Sequence, residues 1–492
     1  IKNVKLLATT DFEGASISRR MRTWGISSSG PNAALLNSWT NLAARSRELY
    51  RNNPTAGAGI DTFVDNLVGR GLTPRWNTGD TGLDKELLDL WNLSVTELDY
   101  DNSLDIYGLQ ALAARTMLLS GDVLGVFRYR RLSSDVLIPL QVQLLEPDHL
   151  DTTQPEYLPN GNTVRLGIEQ NTAGHRVAYY LYKSHPGENT SDLLSTISVR
   201  IPAKYVMHVF HPYRPGQLRG WPKMASIITR LHALDEYEDA ELDRKKIAAM
   251  FAGFITSPPG EQGLVNLPGS DTTYDNDSDH DDEDDLQGLE PGILQELKAG
   301  QDIKFAEPAD VGSHYQVWVH EQLYRVATGM GVTFEQLTGN LKGVSYSSIR
   351  AGLLEFQRRC RVLQAQILVH KFCRPITTKW LDTAVLSRAI KIRKYTKLRR
   401  QIIHNIWEPD GWDWVDPLKD VQGKQAEVRN GFKSRAQVVS ELGGNIAEVD
   451  SQMAADNERA DTNGLILDSD PRNTTKQGGP RKAAQTGGFG NE

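Results

Sequence analysis

The chain has 492 residues, of which 39% are hydrophobic and 24% charged; at ~100–200 residues per domain this means about three domains, or one body with appended modules. That composition excludes a fibrous or disordered chain. No apolar run reaches the ~18–20 residues of a membrane span, and the first thirty residues lack the apolar core of a secretory signal. The formal net charge of −7 is strongly segregated. Residues 271–285 (DTTYDNDSDHDDEDD) hold nine acids and no Lys or Arg, which leaves −7 + 9 = +2 for the rest, whereas residues 342–400 hold fifteen Lys and Arg against Glu355 and Asp382, a balance of +13. Such blocks point to polyelectrolyte partners, or to keeping one away. Cys360 and Cys373 are too few for a disulfide framework or a multi-cysteine zinc module and fit a reducing cytoplasm.

In chain order, residues 1–34 are polar and Gly/Ser-containing and predict an N-terminal arm. Helical patterns follow at 35–49 and 58–68, divided by Asn52-Asn53-Pro54 and closed by Gly69, Gly71 and Pro74. Leu104, Tyr107, Ala111, Ala114 and Leu118 recur at three-to-four spacing and predict a helix over 104–120. The period then becomes strand-like at 123–129, 137–145, 163–169, 176–182 and 197–210, with turns at Asn160-Gly161, Ala173-Gly174 and Pro186-Gly187, which predicts a β-rich module. Residues 221–256 predict one long helix with Met224, Ile227, Ile228, Leu231, Leu234 and Leu242 in helical register and acids crowding its middle. From Met224 to Ile255 it would run about 48 Å.

Residues 257–313 are Pro/Gly-rich and contain the acidic run. A shorter helix is predicted over 315–330, then the loop TGNLKGVS (338–345), then a basic helix over 346–386 expected to bend at Pro375, which has no backbone donor. A Trp-rich segment (407–417) and a small helical cluster to about 460 follow. The tail from 462 is Gly/Asn/Thr-rich, a composition that predicts disorder. No internal repeat is present.

Catalytic patterns are absent from the sequence: there is no G-x-x-x-x-G-K-[ST] phosphate cradle, no H-E-x-x-H, and no His/Cys cluster at zinc spacing. Asp275, Asp277 and Asp279 match positions 1, 3 and 5 of an EF-hand loop, but His280 stands where the turn needs Gly and Leu286 where a bidentate Glu belongs, so an EF-hand is excluded. The acidic run reads either as a solvated loop or as a repulsive or docking surface. Arg350, Arg358, Arg359 and Arg361 either solvate the outer face of a buried helix or neutralise phosphates. No base-reading module accompanies them, so any nucleic-acid contact would be sequence-independent.

Several segments resemble the lambda-type phage portal proteins, the head-to-tail connectors: RSRELYRNNPTAGAGIDTFVDNLVGRGLTP (45–74), LLEPD (144–148), RIPAKYVMHVFHPYRPGQLRGWP (200–222), GMGVTFEQLTG (329–339), YSSIRAGLLE (346–355) and GWDWVDPLK (411–419). They occur in the family's order over about residues 35–460; the acidic run belongs to none of them. The resemblance implies an α+β portal fold: arm (1–34), wing of helices and β module (35–220), first stem helix (221–256), clip (257–313), second stem helix (314–332), tunnel-loop region (333–348), kinked basic wing helix and Trp-rich segment (349–420), crown (421–462) and tail (463–492). It implies a ring-shaped homo-oligomer, a dodecamer, at one capsid vertex of the virion, assembled in the host cytoplasm. Double-stranded DNA would pass through it without sequence preference; the terminase, then the head-tail adaptor, would dock, with major capsid and scaffold proteins around it. No cofactor, metal, membrane or catalytic residue is implied. Asn340, Leu341, Lys342 and Gly343 would face the channel, the four arginines would form a basic surface, and Asp281, Asp282, Glu283, Asp284 and Asp285 of the clip would meet partners. The alternatives are a DNA-processing enzyme (a nuclease or motor subunit), which would need clustered carboxylate ligands on strands or a phosphate loop, and a monomeric DNA-binding adaptor.

Overall fold

The computed structural model describes residues 25, 27–131, 136–188, 197–250, 254–255, 295–296, 314–412, 417–465 and 467. Residues 1–24, nearly all of 257–313 including the acidic run, and the tail beyond 467 therefore lie outside the described residues. The chain forms two compact units, one from Ile1–Arg47, Ile60–Lys223 and Lys342–Glu492, the other from Glu48–Gly59 and Met224–Leu341. Residues 31–34, expected in the arm, instead open a short helix, Pro31–Leu36, as suits a proline at the first helical position.

In the first unit the helix Ile106–Ser120 is capped by Asp105, whose side chain accepts from the Gly108 N–H, and ends at Gly121. Gly121 has φ +95°, and a Cβ there would sit 2.5 Å from the Trp221 backbone; the close approach requires glycine. Strand Asp122–Tyr129 leaves directly from this turn and is the centre of an antiparallel sheet, flanked by Leu140–Leu145 and Val206–Phe210. A second antiparallel sheet follows the order Thr163–Arg165, Ile168–Gln170, Arg176–Tyr182, Ser198–Pro202. Leu124, Val126, Leu150, Ile168, Tyr179, Leu181 and Leu218 form one core between them.

Two predicted strands are each divided. The run 163–169 turns at Leu166 and Gly167, both at positive φ (+55° and +79°). The run 197–210 breaks at Pro202 and the 3₁₀ turn Ala203–Tyr205, so its first half pairs in one sheet and its second half in the other. Pro202 has no N–H for a ladder, which favours the break there.

A cluster of tryptophans forms another part of this unit's core. Trp380 packs on Trp91 at 5.2 Å and on Trp76 at 5.9 Å, Trp407 meets Trp91 at 6.1 Å, and the Trp380 indole N–H donates to Ser94 Oγ at 2.8 Å. Strand Thr73–Arg75 pairs antiparallel with Ile406–Glu408 and ties the Trp-rich segment into this cluster. The basic helix is continuous in chain from Tyr346 to Leu386, but its hydrogen bonding widens to a π-helix over Gln364–Cys373. The change of register thus precedes Pro375 rather than falling at it: the ladder is already re-spaced where the proline's missing N–H arrives.

In the second unit the predicted single helix over 221–256 is shorter. A 3₁₀ turn, Lys223–Ser226, precedes the α-helix Ile228–Met250, and Phe254–Ile255 is a strand paired in parallel with Gln295–Glu296. At 1.5 Å per residue the α-helix spans about 34 Å rather than 48 Å; the bulky Phe-Ile pair after Gly253 favours extended backbone. Helix His314–Met330 runs antiparallel to it: Tyr237 packs 4.5 Å from Trp318, Arg230 donates to Gln322, and Gly329 lies against Ile227. Asn53 caps the following turn through Ala56 N–H at 2.7 Å and donates to Asp235 at 2.7 Å. Among the described residues no helix is long and apolar enough to cross a membrane.

Candidate functional site

The loop expected to matter is framed by two caps. Helix Phe334–Thr338 opens with a capping box in which Thr333 and Gln336 exchange backbone-to-side-chain hydrogen bonds, and Ser345 accepts from Ser348 N–H to start helix Tyr346–Leu363. Between them Gly339 and Gly343 take φ of +67° and +75°, the left-handed turns that glycine supplies without steric cost. Lys342 and Gly343 are exposed, Asn340 is half-buried with its N–H on Thr338 Oγ1, and Leu341 is 64% exposed although apolar. Leu341 and Lys342 thus stand at the exposed tip of the loop.

The four arginines do not form one patch. Arg350 pairs with Asp420 at 2.7 Å, Arg358 with Glu355 at 2.9 Å, and Arg361 lies over the Trp412 ring at 5.0 Å. Arg358 and Arg359 border a pocket whose third cation is Lys223. The expected local excess of +13 is thus lowered by Asp420, which lies outside the 342–400 window. Asp281, Asp282, Glu283, Asp284 and Asp285 lie outside the described residues.

Sequence reasoning missed two ion clusters, both built partly from the motif segments and partly from residues outside them, Asp122 and His185. Arg47 spans Glu146 at 2.7 Å and both Asp148 oxygens at 2.9 Å, with His185 Nε2 3.2 Å from Glu146. Burial works against the Arg47 charge, but Asp148 and Glu146 outweigh it and raise its pKa. Glu146, Asp148 and His185 offer ligand atoms within 4.8 Å of one another; the Arg47 guanidinium already sits on both carboxylates and supplies the cation they need.

The second cluster is wholly buried. Arg219 donates to Asp122 at 2.8 and 3.2 Å and to the Pro147 carbonyl at 3.2 Å, its guanidinium carbon lies 3.8 Å from the centre of the Trp39 ring, and His208 Nε2 is 3.0 Å from Asp122. Burial alone would raise the Asp122 pKa; the Arg219 charge and the hydrogen bonds from His208 and Arg219 outweigh it and hold the carboxyl below its usual range. Burial pulls His208 down to about 4. The neutral imidazole therefore carries its proton on Nε2, facing Asp122, and its buried Nδ1 has no hydrogen-bond partner. Pro147 of LLEPD and His208 and Arg219 of the 200–222 segment meet here, around the strand that begins at Asp122. These groups lock the β module from within.

A family model described as phage portal protein, lambda family, matches residues 17–364. The chain belongs to the lambda family of phage portal proteins. The probable portal protein of Halomonas phage phiHAP-1 is 29% identical over 321 residues, 65% of this chain and 60% of that protein. Portal protein B of Escherichia phage lambda is 23% identical over 488 residues, 89% of this chain and 87% of that protein. A solved chain from the virion of the native gene transfer agent particle is 14% identical with a TM-score of 0.40, covering 83% of this chain and 93% of that chain. The function is accordingly that of a phage portal protein, and the family is a structural one. The family match takes in both ion clusters, the loop at 338–345 and helix Tyr346–Leu363 of this portal, and stops before Pro375.

Proposed function

We propose that copies of this chain close into a ring, a dodecamer, at one vertex of the capsid, and that double-stranded DNA enters and leaves the head through its centre. The observation that carries this reading beyond family membership is the helix pair of the second unit. Ile228–Met250 and His314–Met330 pack on each other through Tyr237 and Trp318, yet Leu242, Val317 and Tyr324 remain 52%, 68% and 49% exposed. Apolar side chains repeated along a helix pair gain cover when identical pairs pack side by side. These helices are then the stem; residues 257–313 between them are the clip, the surface on which the terminase and later the head-tail adaptor dock, with Asp281, Asp282, Glu283, Asp284 and Asp285 as the charged contact. Residues 35–220 with the basic helix are the wing, against the major capsid and scaffold proteins, and residues 421–462 are the crown.

Asn340, Leu341, Lys342 and Gly343 are assigned to the channel wall. Lys342 is the formal positive charge of that loop and would meet phosphate without reading sequence. Arg350 and Arg358 can contribute to a basic surface only by sharing their charge with Asp420 and Glu355. The chain acts as a conduit without chemistry of its own; hydrolysis belongs to the motor that docks on it. Electron micrographs of the purified chain, with its native mass, test the proposal: closed rings with a central channel are expected, and a monodisperse monomer at assembly concentrations overturns it.

A further inference from the structure

One strongly charged surface of the first unit is distinct from both the channel loop and the four arginines. From Arg388 to Arg400 the sequence places seven Lys and Arg in thirteen residues, and no Asp or Glu occurs between Asp382 and Glu408. The run lies beyond the residues that the family model matches. It is anchored from beneath. Ile390 and Ile402 are buried, the Tyr395 hydroxyl and Arg399 donate to Asp382 at 2.6 and 2.7 Å, and Gln401 donates to the Thr78 carbonyl at 2.7 Å. Asp382 is thereby committed to Tyr395 and Arg399. The other six cations, Arg388, Lys391, Arg393, Lys394, Lys397 and Arg400, are all exposed, and none of the six forms an ion pair among the described residues.

Two of these cations are held at a cost to the backbone. Among the described residues four non-glycine positions have positive φ, and two of the four are Arg388 (+65°) and Lys394 (+57°). Arg388 follows helix Arg374–Leu386, where the Ala389 N–H returns to the Ala384 carbonyl at 2.9 Å and the Arg388 N–H to the Val385 carbonyl at 3.2 Å. Glycine, then asparagine, is the usual residue at that left-handed position. Lys394 precedes helix Tyr395–Ile402 and its side chain caps none of the N–H groups there. Less strained residues would serve the fold at both places, so strain kept at two cations points to a use for their charge. Along the helix, Tyr395, Arg399 and Ile402 turn inward, while Lys394, Lys397 and Arg400 recur every third residue on the exposed side, a row about 9 Å long. A DNA duplex carries one charge per ~1.7 Å of axis and so presents about five phosphates over that length.

We propose that Arg388, Lys391, Arg393, Lys394, Lys397 and Arg400 form a binding surface for the phosphate backbone of duplex DNA, a contact additional to the channel loop. It rests on the function proposed above only in taking DNA as the polyanion that the chain meets. Phosphate contacts carry no sequence information, so the surface binds any duplex. The test uses the full chain and two labelled duplexes of roughly 30 bp with unrelated sequences, titrated by fluorescence anisotropy between 50 and 200 mM salt. The variant K391Q/R393Q/K397Q/R400Q leaves the two strained positions and every inward anchor in place. Its plot of log binding constant against log salt should be shallower by about 0.9 for each contact removed, up to about 3.6, on both duplexes. The charge-preserving variant K391R/R393K/K397R/R400K should keep the natural slope. A change under 0.9 in the neutral variant overturns the proposal, and if polyglutamate binding falls instead the partner is an acidic protein. A change on one duplex only, or an equal loss in the charge-preserving variant, overturns it too. Micrographs of the same samples report ring closure, so failure of the ring and failure of this surface are read separately.

Discussion

Lowering the pH from 6.5 to 4 should cost the folded chain about 3 kcal/mol through a single imidazole, His208. Its ring is fully buried and neutral, with a pKa pulled from 6.5 to about 4 by burial. A base with a depressed folded pKa binds fewer protons folded than unfolded between those two values, so its contribution is intact above pH 6.5 and is lost as pH falls toward 4. The interval is about 2.5 pH units, and at 1.36 kcal/mol for each this gives about 3 kcal/mol. Asp122 acts in a different window: its carboxyl is held below the usual 3.8, so its contribution is lost only below that pH. His149 and His211 are also depressed, chiefly by burial, and add to the same limb. The diagnostic is therefore the difference between the natural chain and H208Q, whose amide nitrogen still donates to Asp122. Urea unfolding followed by tryptophan fluorescence, at one protein concentration and at pH values from 4 to 7, measures it. The limb should be shallower in H208Q by about 3 kcal/mol over the interval. Limbs of equal depth would refute the assignment of a buried neutral His208.

Asp122→Asn leaves the Arg219 guanidinium buried without its counter-charge and should cost about 3–5 kcal/mol in the same unfolding assay at pH 7; a loss under 1 kcal/mol would mean the pair is hydrated. Leu234→Pro, at a buried position inside helix Ile228–Met250, should cost about 3 kcal/mol or more per copy and yield monomers or irregular aggregates; normal closed rings by electron microscopy would remove the stem assignment. Lys342→Glu should leave ring assembly intact and reduce packaged or retained DNA, and particles filled to the natural level would end its phosphate role. Deleting 271–285 should leave rings assembled and thermally stable while weakening motor or adaptor binding in a salt-dependent way, since exposed charges act over ~8–10 Å at physiological salt. Loss of rings, or indifference to ionic strength, would count against docking.

The sequence revealed periodic and punctuated features well, and long-range ones poorly. Helix Ile106–Ser120 was legible because Leu104 to Leu118 keep one face and Asp105 and Gly121 mark its ends. The strands were legible from their period, but not their divisions: leucine rarely adopts the positive φ that Leu166 takes before Gly167, and Pro202 marks a break in the run 197–210 without announcing that its halves serve different sheets. Pro375 was visible as an interruption; the π-helix that accommodates it upstream has no single-residue signature. The buried clusters were beyond local reading altogether. Asp122 meets His208 and Arg219 across 86 and 97 positions, and Arg350 finds Asp420 across 70. Charge counted in windows registers none of these pairings, which is why the basic helix looked barer of counter-ions than it is. The family motifs did mark the right segments, because the residues of both clusters fall largely inside them.

The segment from Ser198 to Phe210 is hydrogen-bonded into one sheet by its first half and into the other by its second. A one-residue slip along a strand exchanges its inward and outward side chains. Here a slip cannot stay local: moving Ser198–Pro202 against Arg176–Tyr182 drags Val206–Phe210 against Asp122–Tyr129, unless the three-residue turn at Ala203–Tyr205 absorbs the displacement. That would exchange the faces of Met207 and Val209 together with those of Val199 and Ile201, and would also pull His208 off Asp122. The two sheets are in this sense proofread by a shared strand, and a mistake in either pairing is charged to both.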